Sequence, residues 1–219
     1  MLARLVDPSM KINTEHNPES PTPSATVILL REGKSILQTL LVRRQPGTAP
    51  FAGAWVFPGG TIAAADGSIH PGDAWPEAAR RAAVRELKEE AGLDVMAHDL
   101  VPFSCWTSPT VMPRRFRTWF FLAAAPAGNI RLSREEVSAY CWITPQQALD
   151  RHRLESMPLF PPTWVSLHKL RAIGAVAEAL DTYARRPPFI FNPRVRTLGA
   201  SRCFIYEGDV AYNDGDIDR

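Results

Sequence analysis

Arg85-Glu86-Leu87-Lys88-Glu89-Glu90-Ala91-Gly92-Leu93 closes a segment that begins near Trp75 and has helical periodicity. Ala79, Ala83, Leu87 and Ala91 recur four apart, Pro76 suits a first turn, and Gly92 suits a C-terminal cap. On such a helix Glu86, Glu89 and Glu90 stand at i, i+3 and i+4, so three carboxylates crowd one face. Like charges there repel, and a hard divalent cation removes the repulsion by taking the oxygens as ligands. Magnesium suits carboxylate oxygens and keeps waters that phosphate can replace; manganese can substitute. The plainer alternative is a solvated face with Glu-Glu pairs set between Arg and Lys. Context favours the metal. Glu77 lies four before Arg81 and eight before Arg85, an acid-base ladder, and upstream Pro58-Gly59-Gly60 offers backbone that can approach a phosphate or metal closely.

Working outward, residues 13–24 are polar and carry Pro18, Pro21 and Pro23, an exposed lead-in, so the fold is expected to begin near Ala25. Ala25 to Leu30 and Ser35 to Arg44 are β-rich and joined by Arg31-Glu32-Gly33-Lys34, which reads as a hairpin. Trp55-Val56-Phe57 reads as a short strand stopped by Pro58-Gly59-Gly60. Strands are expected over Leu100 to Thr107, Phe116 to Ala123 and Val137 to Ile143, the last leading into a Thr144-capped helix that ends near Arg153. After Pro161-Pro162-Thr163-Trp164, one long helix is expected to about Arg185, its stripe of Val165, Leu167, Leu170, Ile173, Val176 and Leu180 packing on the sheet. Beyond Pro187 come short β-like pieces, Phe189 to Phe191 and Cys203 to Tyr206, and an acidic tail. The domain reading is a lead-in over 1–24, one domain over 25–186 and an extension over 187–219. Strands and helices interleave without a regular βαβ rhythm, which favours an α/β fold with a mixed sheet between helices.

Composition narrows the function. With 25 basic and 23 acidic residues the net charge is +2, too balanced for bulk attraction to nucleic acid or an anionic membrane. Cys105, Cys141 and Cys203 have neither disulfide-framework nor zinc-site spacing. No leader-like start and no long apolar run is present, so a soluble, cytoplasmic protein is expected.

From Glu77 to Leu93 the chain resembles the box of the Nudix hydrolase family, G-x5-E-x7-R-E-U-x-E-E-x-G-U; seven residues, 78–84, separate Glu77 from Arg85 as that motif requires. The front departs: 16 residues, 61–76, separate Gly60 from Glu77 where the motif has five, an insertion of eleven. Such a long loop, and the Pro161 to Trp164 stretch, look like a subgroup that includes peroxisomal coenzyme A diphosphatases. Of that subgroup's upstream signature Leu40, Leu41, Arg44, Gly53 and Phe57-Pro58-Gly59-Gly60 fit, whereas Val42, Gln45 and Ala49 depart. The resemblance implies a Nudix-type α/β/α sandwich with an appended C-terminal helix, and a magnesium site made by Glu86, Glu89 and Glu90. It also implies that Arg85 orients those glutamates, that the Gly60 carbonyl adds a ligand, and that Glu77 is a supporting or outer ligand. A homodimer is a family-level expectation.

The chemistry expected is attack of water on one phosphorus of a diphosphate, with a carboxylate as general base. Glu89, Glu135 and Glu136 are the candidates for that base, the latter pair in a loop that swings toward the metal. Arg44 and the Arg114, Arg115 and Arg117 stretch, interleaved with Phe116 and Trp119, are candidates for binding substrate phosphate. Phe51, Trp55 and Trp106 are candidates for stacking on a base, with core or pocket wall the plainer and favoured reading. The substrate class is a nucleoside diphosphate derivative: coenzyme A or its esters, NADH or ADP-ribose. The rival reading is a Nudix-like module that binds or senses a nucleotide without cleaving it, which loss of box glutamates would mark; none is missing.

Overall fold

The computed structural model describes residues 20–34, 36–46, 52–70, 72–198 and 201–206. Among the described residues, ten strands and four α-helices run in the order β1 (Thr22–Arg31), β2 (Gln38–Arg44), β3 (Trp55–Val56), β4 (Gly59–Thr61), α1 (Glu77–Ala91), β5 (Val101–Thr107), β6 (Phe116–Ala124), β7 (Val137–Ile143), α2 (Pro145–Arg153), α3 (Pro161–Leu170), α4 (Val176–Ala184), β8 (Phe189–Phe191), β9 (Arg194–Leu198) and β10 (Ser201–Ile205). Phe51, one of the expected wall residues, and the acidic tail lie outside the described residues.

The sheet is mixed, as expected. Its main path is β3-β2-β1-β6-β5-β8, with β4 on β1 and β7 on β2. β1 runs parallel to β6 along nine residues and is buried on both sides of its pleat, which its uninterrupted Val27-Ile28-Leu29-Leu30 run requires. Its side chains divide by parity. Ala25, Val27 and Leu29 pack with Ala79, Ala83 and Leu87 of α1, while Ile28 and Leu30 join Leu167, Leu170 and Val176 of α3 and α4. Helices therefore cover both faces, which is the α/β/α sandwich.

β1 and β2 pair only at Leu30↔Thr39 and Arg31↔Gln38, then diverge. The wedge between them is filled by the chain from Ala54 to Thr61: β3 pairs with β2, β4 pairs with β1, and the Val27 N–H donates to the Pro58 carbonyl. β3 stops before Pro58-Gly59-Gly60 as expected, but Gly59-Gly60 then begins a separate strand, because the open edge of β1 offers unpaired backbone that must find partners.

The single helix expected up to Arg185 is two. α3 ends at Leu170 and α4 starts at Val176. The backbone between them is used elsewhere: Leu37 N–H donates to the Gly174 carbonyl at 3.0 Å, and Glu32 accepts the Val176 N–H at 2.8 Å, capping α4. The prolines Pro161 and Pro162 form the first turn of α3 rather than preceding the helix. The apolar stripe survives the break, with Val165, Leu167, Leu170, Ile173 and Val176 all buried. β1 starts at Thr22, three residues before Ala25, and β8 extends the main sheet beside β5. No helix among the described residues is long and apolar enough to cross a membrane.

α1 ends at Gly92, whose φ of 68° is left-handed and whose N–H donates to the Lys88 carbonyl at 2.9 Å. A Cβ there meets the Cβ of Arg131 at 2.9 Å. Gly92→Ala is expected to lower stability by about 1–2 kcal/mol through backbone strain and this contact, as urea unfolding measures.

Candidate active site

The row Ala78, Ala82, Glu86, Glu90 runs down one side of α1 at four-residue spacing, and all four side chains are buried. Small alanines let the helix lie close to the sheet, which carries the two carboxylates at its end inside with them; Glu86 is 8% and Glu90 1% exposed. Backbone from β4 receives them. Gly59 N–H donates to Glu90 Oε2 at 3.0 Å, and a Cβ on Gly60 would lie 2.4 Å from the carboxyl carbon of Glu86. Only glycine at 60 leaves that carboxylate its place.

Arg85 is the hub of the helix's polar face. Its Nη1 donates to Glu86 Oε1 at 2.8 Å and to Glu89 Oε2 at 2.9 Å, and its Nη2 donates to the Thr61 carbonyl at 2.9 Å. Nε and Nη2 grip the two oxygens of Asp66 at 3.0 and 2.9 Å. Asp66 lies in the insertion and was not singled out from sequence; nothing in Ala63-Ala64-Ala65-Asp66-Gly67 signals a partner nineteen residues away. Glu77 stands apart at the exposed first turn. Its ion pairs go to Arg80 at 3.8 Å and Arg81 at 3.9 Å.

The third carboxylate of the cluster comes from outside the helix. Glu86, Glu90 and Glu136 each offer an oxygen within 4.8 Å of the others. Glu136 needs no swing to get there. Arg131 N–H donates to the Ala91 carbonyl at 2.8 Å and Ser133 N–H to that of Glu90 at 3.2 Å, so the loop before β7 is docked on the end of α1. The Glu136 N–H donates to the Ser133 carbonyl, and its own carbonyl accepts from Gln45 N–H at 3.0 Å. Glu135, its neighbour, is exposed and does not line the cavity.

Burial dominates the electrostatics. It pushes the Glu86 carboxyl up, against the pull of Arg85, and pushes Glu90 up to about 8, against the Gly59 N–H and the charge of Arg44. Asp66 goes the other way, held below the usual range chiefly by its hydrogen bonds from Arg85. Carboxylates that burial disfavours as anions, with oxygens converging on one point and a glycine backbone cleared beside them, form a hard-oxygen donor set that suits a divalent cation such as magnesium.

Glu86, Glu90 and Glu136 all line one cavity of about 620 Å³. Glu89, Arg85, Arg44 and Gly60 line the same cavity, together with the aromatic side chains of Phe57, Trp106, Phe116, Phe120 and Phe160. Trp106 is fixed by stacking on Phe191, centroids 4.1 Å apart. Of the arginines expected to meet substrate, Arg44 and Arg114 line the cavity. Arg115 instead donates from Nε to the Ser108 carbonyl at 3.3 Å. Arg117 lies on the opposite face of β6 with its guanidinium 5.0 Å over the Trp119 ring, because strand parity turns it toward α1. Trp55 sits on β3 packed against the core rather than on the cavity wall. The Cys105 and Cys141 thiols are both pushed up by burial, which suits small packing residues rather than nucleophiles.

The NUDIX domain family model matches residues 20–161. A Caenorhabditis elegans chain provisionally named nudix hydrolase 7 is 26% identical over 222 aligned positions, covering 83% of this chain and 72% of that one. Among solved structures, a NUDIX hydrolase from Alicyclobacillus acidocaldarius superposes with a TM-score of 0.67 at 22% identity, covering 78% of this chain and all of that one. The NUDIX domain of Shewanella oneidensis NrtR, solved with ADP ribose, superposes with a TM-score of 0.51 at 18% identity, covering 70% and 88%. With the box from Glu77 to Leu93 on a sheet-packed helix and a family match over most of the folded domain, the chain belongs to the Nudix family of hydrolases.

Proposed function

We propose that the protein is a magnesium-dependent diphosphatase that splits the diphosphate bridge of a nucleoside diphosphate derivative. The observation that carries this reading is the convergence of Glu86, Glu90 and Glu136 within 4.8 Å on the wall of one cavity. In this reading those three carboxylates, with Glu89 beside them and the Gly60 carbonyl, hold the divalent cation. Bound there, the cation neutralises charge on the diphosphate oxygens and makes a water more acidic. Glu77 acts indirectly, through the arginines at its end of the helix.

In the chemical step, water oxygen forms a bond to one phosphorus, the bond from that phosphorus to the bridging oxygen breaks, and the water proton passes to a carboxylate base. Glu89 is the first candidate for that base, since it lines the cavity, is half exposed, and is held in place by Arg85; Glu136 is the second. Arg44 supplies positive charge beside the cluster, and Arg114 supplies it at the wall with its guanidinium 5.6 Å from the Phe116 ring. The aromatic residues in the cavity lining favour substrates whose diphosphate carries a large, partly apolar second half. Coenzyme A and its esters fit that description best, ahead of NADH and ADP-ribose.

Incubation with magnesium and coenzyme A, acyl-coenzyme A, NADH and ADP-ribose, with products identified by mass, is expected to give magnesium-dependent release of two phosphate-terminated halves. Glu89→Gln is expected to lower kcat by about 10²–10⁴-fold, the usual contribution of a general base. Binding of these compounds with no turnover of any would point instead to a sensing module.

The raised carboxyl of Glu90 makes a second prediction. Its folded value near 8 exceeds its ordinary value of 4.5, so the metal-free fold binds a proton that the unfolded chain releases between those limits. The stability this proton confers is complete below pH 4.5 and is lost as pH rises through 8. Without metal, Glu90→Gln is therefore expected to melt roughly 5 °C higher than the parent near pH 8.5, with the difference closing toward pH 5, in a calorimetric series. Magnesium uptake by the parent at pH 7 is expected to release protons, and Glu90→Gln to reduce that release.

A further inference from the structure

The extra residues between Gly60 and Glu77 carry a buried acid that has no counterpart in the box pattern itself. Asp66 ends a single 3-10 turn, is 4% exposed, and takes both Nε and Nη2 of Arg85 on its two oxygens, while the Ala63 N–H donates to Oδ2 at 2.8 Å. The loop around it is built onto the domain at several points. Arg81 donates from Nε to the Asp66 carbonyl and pairs with Glu77, and Trp119 Nε1 donates to the Ala74 carbonyl at 2.8 Å. Trp75 meets the Phe121 ring edge-on at 5.6 Å.

Arg85 poses a problem that Asp66 answers. A guanidinium within 2.9 Å of both Glu86 and Glu89 competes with a divalent cation for the same carboxylate charge. Asp66 engages two of its three nitrogens in a planar, two-point ion pair. Nη1 then stands alone toward the glutamates, shared between them. Glu77 is eight residues back, about 12 Å along the helix axis, and is paired to Arg80 and Arg81. We propose that Asp66, supplied by the inserted loop, is a positioning residue of the active site: by holding Arg85 it lets one guanidinium nitrogen orient Glu86 and Glu89 while their charge stays available to the divalent cation. The inserted loop is in this way a working part of the metal site, and Glu77 acts on the loop's backbone through Arg81. The inference rests on the carboxylate cluster being a divalent-cation site, as proposed above.

The test compares the full chain with Asp66→Asn and Asp66→Glu, measuring Mn²⁺ affinity by titration calorimetry and turnover of the best diphosphate substrate, with circular dichroism to establish folding. Asp66→Asn is expected to bind Mn²⁺ about tenfold more weakly and to lose about 10–100-fold in kcat with KM within about threefold, the range seen when a partner of a metal-site residue is removed. Asp66→Glu, which keeps the charge, is expected to recover most of both. A folded Asp66→Asn that binds Mn²⁺ as tightly as the parent overturns the proposal, as does an Asp66→Glu no better than Asp66→Asn. If Asp66→Asn does not fold, Asp66→Ser replaces it under the same criteria. A parent that binds Mn²⁺ but cleaves no diphosphate overturns the hydrolase reading alone, since the affinities still decide the role of Asp66; a parent that binds no Mn²⁺ overturns both.

Discussion

Glu86 and Glu90 are buried on the same side of α1, one turn apart, where the low polarity of the helix-sheet interface strengthens their repulsion and disfavours their charge. Much of the surrounding architecture answers that constraint. Gly59 donates a backbone N–H to Glu90, Gly60 clears the space Glu86 occupies, and Arg85 donates to Glu86 from the helix itself. A helix stabilised only by packing would have alanine or leucine at these positions, continuing the row begun by Ala78 and Ala82. Carrying carboxylates there instead costs stability in the metal-free chain, a cost that the divalent cation of the proposed function would offset.

The wedge in the sheet is the structural means by which the site is assembled. Because β1 and β2 part after two residue pairs, the Ala54–Thr61 segment enters between them and brings glycine backbone to the buried carboxylates. The same segment lines the cavity, and the loop before β7, docked on the C-terminal end of α1, adds Glu136 to its lining. Two chain segments remote in sequence thus reach the cluster through backbone hydrogen bonds, which hold position more tightly than flexible side chains do.

The contribution of β6 to the cavity is set by the alternation of its residues between the two sides of the sheet. Phe116, Thr118 and Phe120 face the cavity, whereas Arg117, Trp119 and Phe121 face α1 and the inserted loop. Parity thereby removes one of the expected phosphate-binding arginines from the site and gives it a packing role. The same alternation places Trp119 where its indole N–H anchors the insertion.

Local signals were sufficient for much of this. The four-residue spacing of Ala79, Ala83, Leu87 and Ala91 specified α1, Gly92 its end, Thr144 the cap of α2, and the β-rich runs β1, β2, β3, β5, β6 and β7, because helix and strand periods and capping preferences act between residues close in sequence. The box spacing likewise marked Glu86, Glu89, Glu90 and Arg85 from sequence alone. The break between α3 and α4 was not legible, since it is made by Glu32 and Leu37, more than 130 residues earlier. Nor was the strand at Gly59–Thr61, which exists only because β1 has an open edge. The choice of Glu136 over Glu135, of Arg44 over Arg117, and the pairing of Asp66 with Arg85 were decided by tertiary structure, because each depends on which way a side chain points once distant segments share one sheet.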